Sequence, residues 1–149
     1  MRLISIHNEL LKKFAVDKEV LQKSGRPYVL VLQLMYKGKR QNFAIPIRSN
    51  IPSASPKNEY FPLPPRPSTR PKNRHGLHYI KMFPVTSKYY LRYRTENNEF
   101  ATLIKDIIDN ESKQIISECQ EYLNRYENGN RSQYATDIDL LISILHQNK

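Results

Sequence analysis

Tryptophan is absent from this 149-residue chain, cysteine occurs once, at Cys119, and there are only four glycines. A single cysteine excludes an intrachain disulfide and any cysteine-rich metal framework, and it suits a reducing cytoplasm. No charged leader followed by an apolar run marks export. The longest apolar-rich stretch, residues 28–35, is far too short to span a bilayer. The most informative shortage is acid. Residues 1–95 hold 4 Asp and Glu against 19 Lys and Arg, and residues 60–95 hold no acid at all. Residues 96–149 carry 5 bases against 10 acids, so the chain is +15 in front and −5 behind.

A surface with charge of one sign meets polyanions: it condenses phosphates and releases their counterions, whatever the base sequence. Aromatic rings alternate with the bases in Tyr79, Lys81, Phe83, Lys88, Tyr89, Tyr90, Arg92, Tyr93 and Arg94. Exposed rings stack on unpaired bases, so the pattern favours single-stranded or looped RNA over duplex DNA. Anionic lipid is the weaker match, because no basic amphipathic helix or lipidation signal accompanies the charge.

The length suits one domain, residues 1–149, with a single core. Residues 2–6 read as a strand and Asn8 as the cap of a helix whose apolar face is Leu10, Leu11, Phe14, Val20 and Leu21. Residues 28–36 are apolar on both parities and predict a central strand buried on both sides. Residues 37–40 then make a hairpin. With Gly38-Lys39 as its loop, Leu34 pairs with Phe43, Leu32 with Ile45, Leu30 with Ile47 and Tyr28 with Ser49. Pro46, which lacks a donor, is expected at an edge or bulge.

Seven of the twenty residues 52–71 are proline, which predicts a stiff extended loop over about residues 50–74 carrying Arg66, Arg70, Lys72 and Arg74. Residues 78–85 read as strand. Beyond Glu96 the apolar residues recur at helical spacing: Phe100, Leu103, Ile104, Ile107 and Ile108, then Ile115, Ile116, Cys119, Leu123 and Tyr126, then Ile138, Leu141, Ile142 and Leu145.

The four histidines come with one cysteine and no clustered carboxylates in the basic half, a poor metal-ligand set. His75 and His78 could share an ion only if Gly76 bends the strand, since residues three apart face opposite sides. Metal-free RNA cleavage fits better. The substrate's 2′-hydroxyl is the nucleophile, and the protein supplies proton-transfer groups and cations around the phosphate. Residues 72–81, with Lys72, Arg74, His75, His78, Tyr79 and Lys81, hold such groups together.

Three segments resemble the ToxN/AbiQ family of type III toxin–antitoxin endoribonucleases, especially its CptN-like and TenpN-like branches. The segment Arg26-Pro27-Tyr28-Val29-Leu30-Val31-Leu32 and the hairpin after it are similar to the family's central hairpin. There an apolar strand ending in Ala-Pro-Leu/Ile runs into a Ser/Thr-containing turn, here Phe43-Ala44-Ile45-Pro46-Ile47-Arg48-Ser49. Residues 75–85 resemble its later strand, with a Gly-Leu start and an apolar-Pro-apolar end. The resemblance carries the active-site serine onto Ser49. It departs just beyond, where relatives have a lysine and this chain reads Asn50-Ile51-Pro52; Arg48, Lys37, Lys39 and Lys81 are the candidates to replace that cation.

The resemblance implies an α+β fold, with a twisted antiparallel sheet curled towards a small Kid/MazF-like barrel, packed helices and a helical C-terminal part. It implies metal-independent cleavage to a 2′,3′-cyclic phosphate and a 5′-hydroxyl, without a cofactor. It also implies a small structured, pseudoknot-like antitoxin RNA, processed by the toxin from a repeat precursor and held in a closed cyclic assembly, with cellular or phage mRNA as substrate. The candidate catalytic residues are Ser49, His75, Arg48, Lys39 and Tyr28. The candidate RNA-binding residues are Lys37, Arg40, Arg66, Arg70, Lys72, Arg74, His78, Lys81, Lys88 and Arg92. A non-catalytic RNA-binding module, or a basic subunit of a larger ribonucleoprotein, would show the same charge pattern.

Overall fold

The computed structural model describes residues 1–147. Its strands are β1 (Arg2–Ile6), β2 (Tyr28–Tyr36), β3 (Lys39–Ile51), β4 (Tyr60–Leu63), β5 (Arg74–His78), β6 (Phe83–Pro84) and β7 (Tyr90–Arg92). They form one antiparallel sheet in the order β4-β5-β3-β2-β1-β7, with β6 also on β3. The helices are α1 (Asn8–Lys13), α2 (Glu99–Asn110), α3 (Ser112–Glu127) and α4 (Ile138–Leu145). None of the described helices is long and apolar enough to cross a membrane.

The expected curl towards a barrel is corrected by this topology. The end strands β4 and β7 do not pair, so the sheet stays open. Each face is instead covered by helices. Val29, Val31, Phe43, Ile45, Ile47 and Leu77 point to one side and pack with Ile104 and Ile108 of α2 and Ile115, Cys119 and Leu123 of α3. Tyr28, Leu30 and Ala44 point to the other and pack with Leu10 and Leu11 of α1, Phe14, Phe83 and Leu141 of α4. An apolar strand on both parities is therefore satisfied by two helical layers.

The hairpin register also differs from the expectation. The loop is Lys37-Gly38, with φ of 50° and 74°, the pair of positive values that matches the twist of the flanking strands. Tyr36 pairs with Lys39 and Leu34 with Gln41; a bulge at Leu32 and Gln33 follows, and Val31 then pairs with Phe43 and Tyr28 with Pro46. Gln33 takes φ 55° there, and its N–H donates to Asn42 Oδ1 at 2.9 Å. The bulge leaves Leu32 and Met35 exposed, so β2 is buried on both sides only over its first four residues.

Pro46 occupies neither a sheet edge nor a bulge. The N–H of Ile47 points towards β2 and donates to Pro27 O at 3.0 Å, so the nitrogen of Pro46 faces the other side. On that side β6 covers only Phe43 and Ala44, and β5 starts at Ile47. The missing donor lies in the gap between two partners.

The proline-rich segment is more ordered than a stiff loop. It contains a 3₁₀ turn, Lys57–Glu59, and the edge strand β4, where Pro62 lies opposite Gly76. At Gly76 an added Cβ would overlap the carbonyl oxygen of Phe61, so only glycine lets β4 lie against β5 here. The strand expected over residues 78–85 is interrupted by a second 3₁₀ turn, Tyr79–Lys81. Helices α2 and α4 start at side-chain caps, Asn98 accepting from Ala101 N–H at 2.9 Å and Asp137 from Leu140 N–H at 3.2 Å.

Candidate active site

Strand parity gathers one group of polar side chains on the α1 face of the sheet. Tyr28 lies opposite Pro46, Arg48 opposite Gly76, and His78 is two residues beyond Gly76 on β5. These residues therefore share a face and extend the apolar row of Leu30 and Ala44 towards solvent. Arg26 enters from the turn before β2 and is anchored by Nη1 donating to Ile47 O at 3.1 Å.

The central contact is Arg48 Nη1 to His78 Nδ1 at 3.3 Å. A guanidinium only donates, so Nδ1 is the acceptor and the proton of the neutral ring resides on Nε2. That Nε2 is buried and has no partner among the described residues. His78 is 2% exposed. Burial drives its pKa down to about 3, and the charges of Arg48, Lys81 and Arg26 act in the same direction. The ring is thus a neutral N–H donor surrounded by cations.

Tyr28 is the second buried donor. Its Oη has no partner, and burial pushes the phenol up to about 12 although Arg26 opposes the shift. Burial holds the guanidinium pKa of Arg26 and of Arg48 below its ordinary value, and for Arg26 the positive charge of Arg48 adds to the effect. Phe83 fixes the ring of Tyr28 at a centroid distance of 5.3 Å.

Lys81 closes the group. Its Nζ donates to Glu19 Oε1 and to Tyr134 O, both at 2.8 Å, joining the second 3₁₀ turn to the segment after α1 and to the α3–α4 connection. Arg48, His78 and Lys81 line an open cleft of about 670 Å³, walled by residues 52–59 of the proline-rich segment and by Ser132, Gln133 and Tyr134. Glu19 pairs with Lys81 and Glu59 also lines the cleft, while Arg48 has no acidic partner among the described residues.

Ser49 follows Arg48 in a second bulge. Arg48 pairs with Gly76 but Ile51 pairs with Arg74, so Ser49 and Asn50 together face the single residue His75. Ser49 is half-buried and its hydroxyl makes no hydrogen bond with the described residues. Asn50 clamps the basic turn: its Oδ1 accepts from Arg70 N–H at 2.9 Å and from Asn73 Nδ2 at 3.3 Å, while its Nδ2 donates to Ser68 O at 3.1 Å. The bulge that presents Ser49 is thereby tied to the arm that carries Arg66, Arg70 and Lys72.

Tyr28, Arg48, His78 and Lys81 are brought together on one face, with Ser49 adjoining. The direct Tyr28–Ser49 pairing expected from the hairpin is corrected, because the Lys37-Gly38 loop moves the partner of Tyr28 by two residues and the bulge in β2 by one more, to Pro46. His75 lies on the opposite face. Its Nδ1 donates to Pro64 O at 2.7 Å, its ring stands 5.8 Å from Phe100, and burial lowers its pKa. Lys39 begins β3, roughly 30 Å along the strand from Arg48 at about 3.3 Å per residue.

Lys37, Lys39 and Arg40 line a separate cleft of about 1030 Å³, where Lys37 pairs with Asp139 at 3.0 Å. Arg66 stands 5.6 Å over Phe100 and Lys88 5.3 Å over Tyr89, while Arg92 pairs with Glu96 at 2.9 Å. Arg70 and Lys72 are exposed, and Arg74 turns back onto the carbonyls of Lys72 and Asn73 at 3.3 Å. Among the described residues no group of three or more His, Cys, Asp or Glu side chains could hold a metal ion.

Arg26, Glu19 and Asn50 are not among the sequence-predicted site residues. Arg26 had a local signal, two residues before Tyr28 and on the same parity. Glu19 and Asn50 had none, because their partners lie 62 and 20 residues away.

No family model matches the chain, and no curated protein matches it in sequence. Solved structures match the fold along nearly its whole length. A structure of AbiQ, a lactococcal anti-phage endoribonuclease belonging to the type III toxin–antitoxin system, superposes with a TM-score of 0.73 at 16% identity, over 98% of this chain and 96% of that one. A bacterial type III toxin–antitoxin structure, in which a non-coding RNA pseudoknot selectively inhibits the toxin, gives 0.74 at 15% identity, over 98% and 96%. A bacterial antiviral system regulated by a processed non-coding RNA gives 0.70 at 15% identity, over 96% of each chain. This chain therefore has the fold of type III toxin–antitoxin toxins.

Proposed function

We propose that this protein is a metal-independent endoribonuclease toxin of a type III toxin–antitoxin system. It acts in the cytoplasm on cellular or phage mRNA and serves phage defence by abortive infection. The observation that carries the reading is the contact of Arg48 with the neutral, N–H-bearing ring of His78 in an open cleft that Lys81 also lines, with the charge of Arg26 acting on the same ring. The fold in which this cleft lies supports it.

The scissile phosphate sits over Arg48 and the Nε2–H of His78. Cations and a preformed donor stabilise the charge that develops on the phosphoryl oxygens as the 2′-oxygen attacks. Those cations also favour loss of the 2′-hydroxyl proton, which passes to solvent water in the open cleft. The P–O5′ bond breaks to leave a 2′,3′-cyclic phosphate, and the phenol of Tyr28, held neutral, is the proton donor to the departing 5′-oxygen. Ser49 positions the substrate, because a hydroxyl without a neighbouring base is a poor proton acceptor. The imidazole role passes from His75 to His78, and the replacement for the family lysine is Arg48. Lys37, Lys39, Arg40, Arg66, Arg70, Lys72, Arg74, Lys88 and Arg92 contribute to RNA binding over a wider surface. The antitoxin is a small structured RNA processed by the toxin and kept across the cleft in a closed cyclic assembly.

The test is incubation of the purified chain with RNA in EDTA, followed by analysis of the new ends. Discrete 2′,3′-cyclic phosphate termini support the nuclease. Retention of RNA without new ends favours the non-catalytic binding module.

A further inference from the structure

The cleft has a wall that the cleavage chemistry leaves unused. Glu59 ends the 3₁₀ turn Lys57–Glu59 and faces the cleft with Pro52, Pro56, Ile80 and Tyr134. Half-buried Glu59 makes no side-chain hydrogen bond or ion pair with the described residues. Burial raises its pKa while the more distant charge of Arg125 opposes the rise. Tyr134 is 58% exposed, so its ring is available for stacking. His78, whose buried Nε2–H has no partner among the described residues, also lines the cleft.

These features make a slot with flat apolar walls, a free acceptor on one side and cations below. About 670 Å³ is ample for one nucleotide. Single-stranded RNA is read by splaying a base out, stacking it and hydrogen-bonding its Watson–Crick edge. An ionised carboxylate only accepts, so it selects an edge offering two adjacent N–H groups. Guanine does so through N1–H and the N2 amino group. Adenine and cytosine set a ring-nitrogen lone pair beside their amino group, and uracil flanks its one N–H with carbonyl oxygens; each repels a carboxylate oxygen.

We propose that Glu59 is a specificity-determining residue that selects an unstacked guanine next to the scissile phosphate. The inference rests on the nuclease reading for the position of the phosphate. Guanine selection by the slot is separable from cleavage.

The full chain and its Glu59→Gln and Glu59→Ala variants are given a random-sequence RNA pool, and the cut ends are sequenced. The same proteins are titrated with 3′-GMP, 3′-AMP, 3′-CMP and 3′-UMP and followed by thermal shift. The expected result is guanine enriched at one fixed position beside the cut, with the enrichment falling about 10- to 100-fold in both variants, the loss expected for two charge-assisted hydrogen bonds. Among the nucleotides, 3′-GMP should give the largest shift, and the variants should lose that advantage. Cuts without guanine enrichment, or enrichment that survives both substitutions, overturn the assignment. If the wild-type chain makes no cuts, the nuclease reading fails and the titration decides: a Glu59-dependent preference for 3′-GMP upholds guanine selection, and equal shifts for the four nucleotides overturn it.

Discussion

Acidification should destabilise this protein through His78, and the size of the effect follows from its surroundings. The ring is buried among Arg26, Arg48 and Lys81 with a folded pKa of about 3, against about 6.5 in the unfolded chain. The folded value is the lower one, so the unfolded state binds the proton first. The contribution is fully present above about pH 6.5 and is lost as pH falls towards about 3. Linkage through these two values gives a loss of about 2 kcal/mol between about pH 7 and about pH 5 from this ring alone. Urea unfolding of the wild type and of His78→Gln at both pH values isolates it. Glutamine retains an acceptor for Arg48 but does not titrate, so the wild type should lose about 2 kcal/mol more than the variant over that interval. The contribution of His75, whose pKa is also lowered, is common to both proteins and cancels. Equal losses in the two proteins would refute the placement of a neutral His78 among three cations.

Glu19→Ala leaves the Lys81 ammonium, 8% exposed, with only the carbonyl of Tyr134 among the described residues. An unpaired buried charge predicts a loss of about 3 kcal/mol in denaturant unfolding; a loss within experimental error would show that the ion pair contributes nothing. Gly76→Ala forces β4 away from β5 because the new Cβ meets Phe61 O. The expected cost is about 1–3 kcal/mol, read as a lowered Tm, and an unchanged Tm would disprove that close approach. Ser49→Ala should retain the Tm and RNA affinity of the wild type while slowing single-turnover cleavage at least about 10-fold. Unchanged cleavage would remove Ser49 from the site.

Much of this fold was legible in the sequence, and the parts that were not share a cause. The span of β2 and the three later helices follow from apolar spacing, because burial of a face is written in the periodicity of the residues that cover it. The register of β2 on β3 is not so written. Residues 28–36 are apolar on both parities, so the alternation that ordinarily fixes register is silent; the Lys37-Gly38 loop moves every partner by two residues, and the bulge at Gln33 moves those from Val31 back by one more. Openness of the sheet depends on what covers its second face, which is decided by α1 and Leu141 far apart in the chain. Strand β4 hides among prolines because an edge strand needs donors on only one side, and Gly76 supplies the space for it. In the candidate site the basic charge was legible, whereas the turn expected at Arg48-Ser49 is instead a bulge within β3. The parity rule that separates His75 from His78 was also available from sequence. The sequence did not say which of the two histidines meets Arg48, because that depends on the pairing of β3 with β5. Glu19 and Asn50 act across 62 and 20 residues of chain and left no local trace.

The central claim is that RNA gripped over Arg48 and His78 is broken by its own 2′-oxygen. It is tested most directly by mapping a cut site and replacing the nucleotide 5′ to it with its 2′-deoxy form in an otherwise identical oligonucleotide. The account predicts unchanged binding and no cut at that bond in EDTA. Continued cleavage of the deoxy-substituted bond would contradict it.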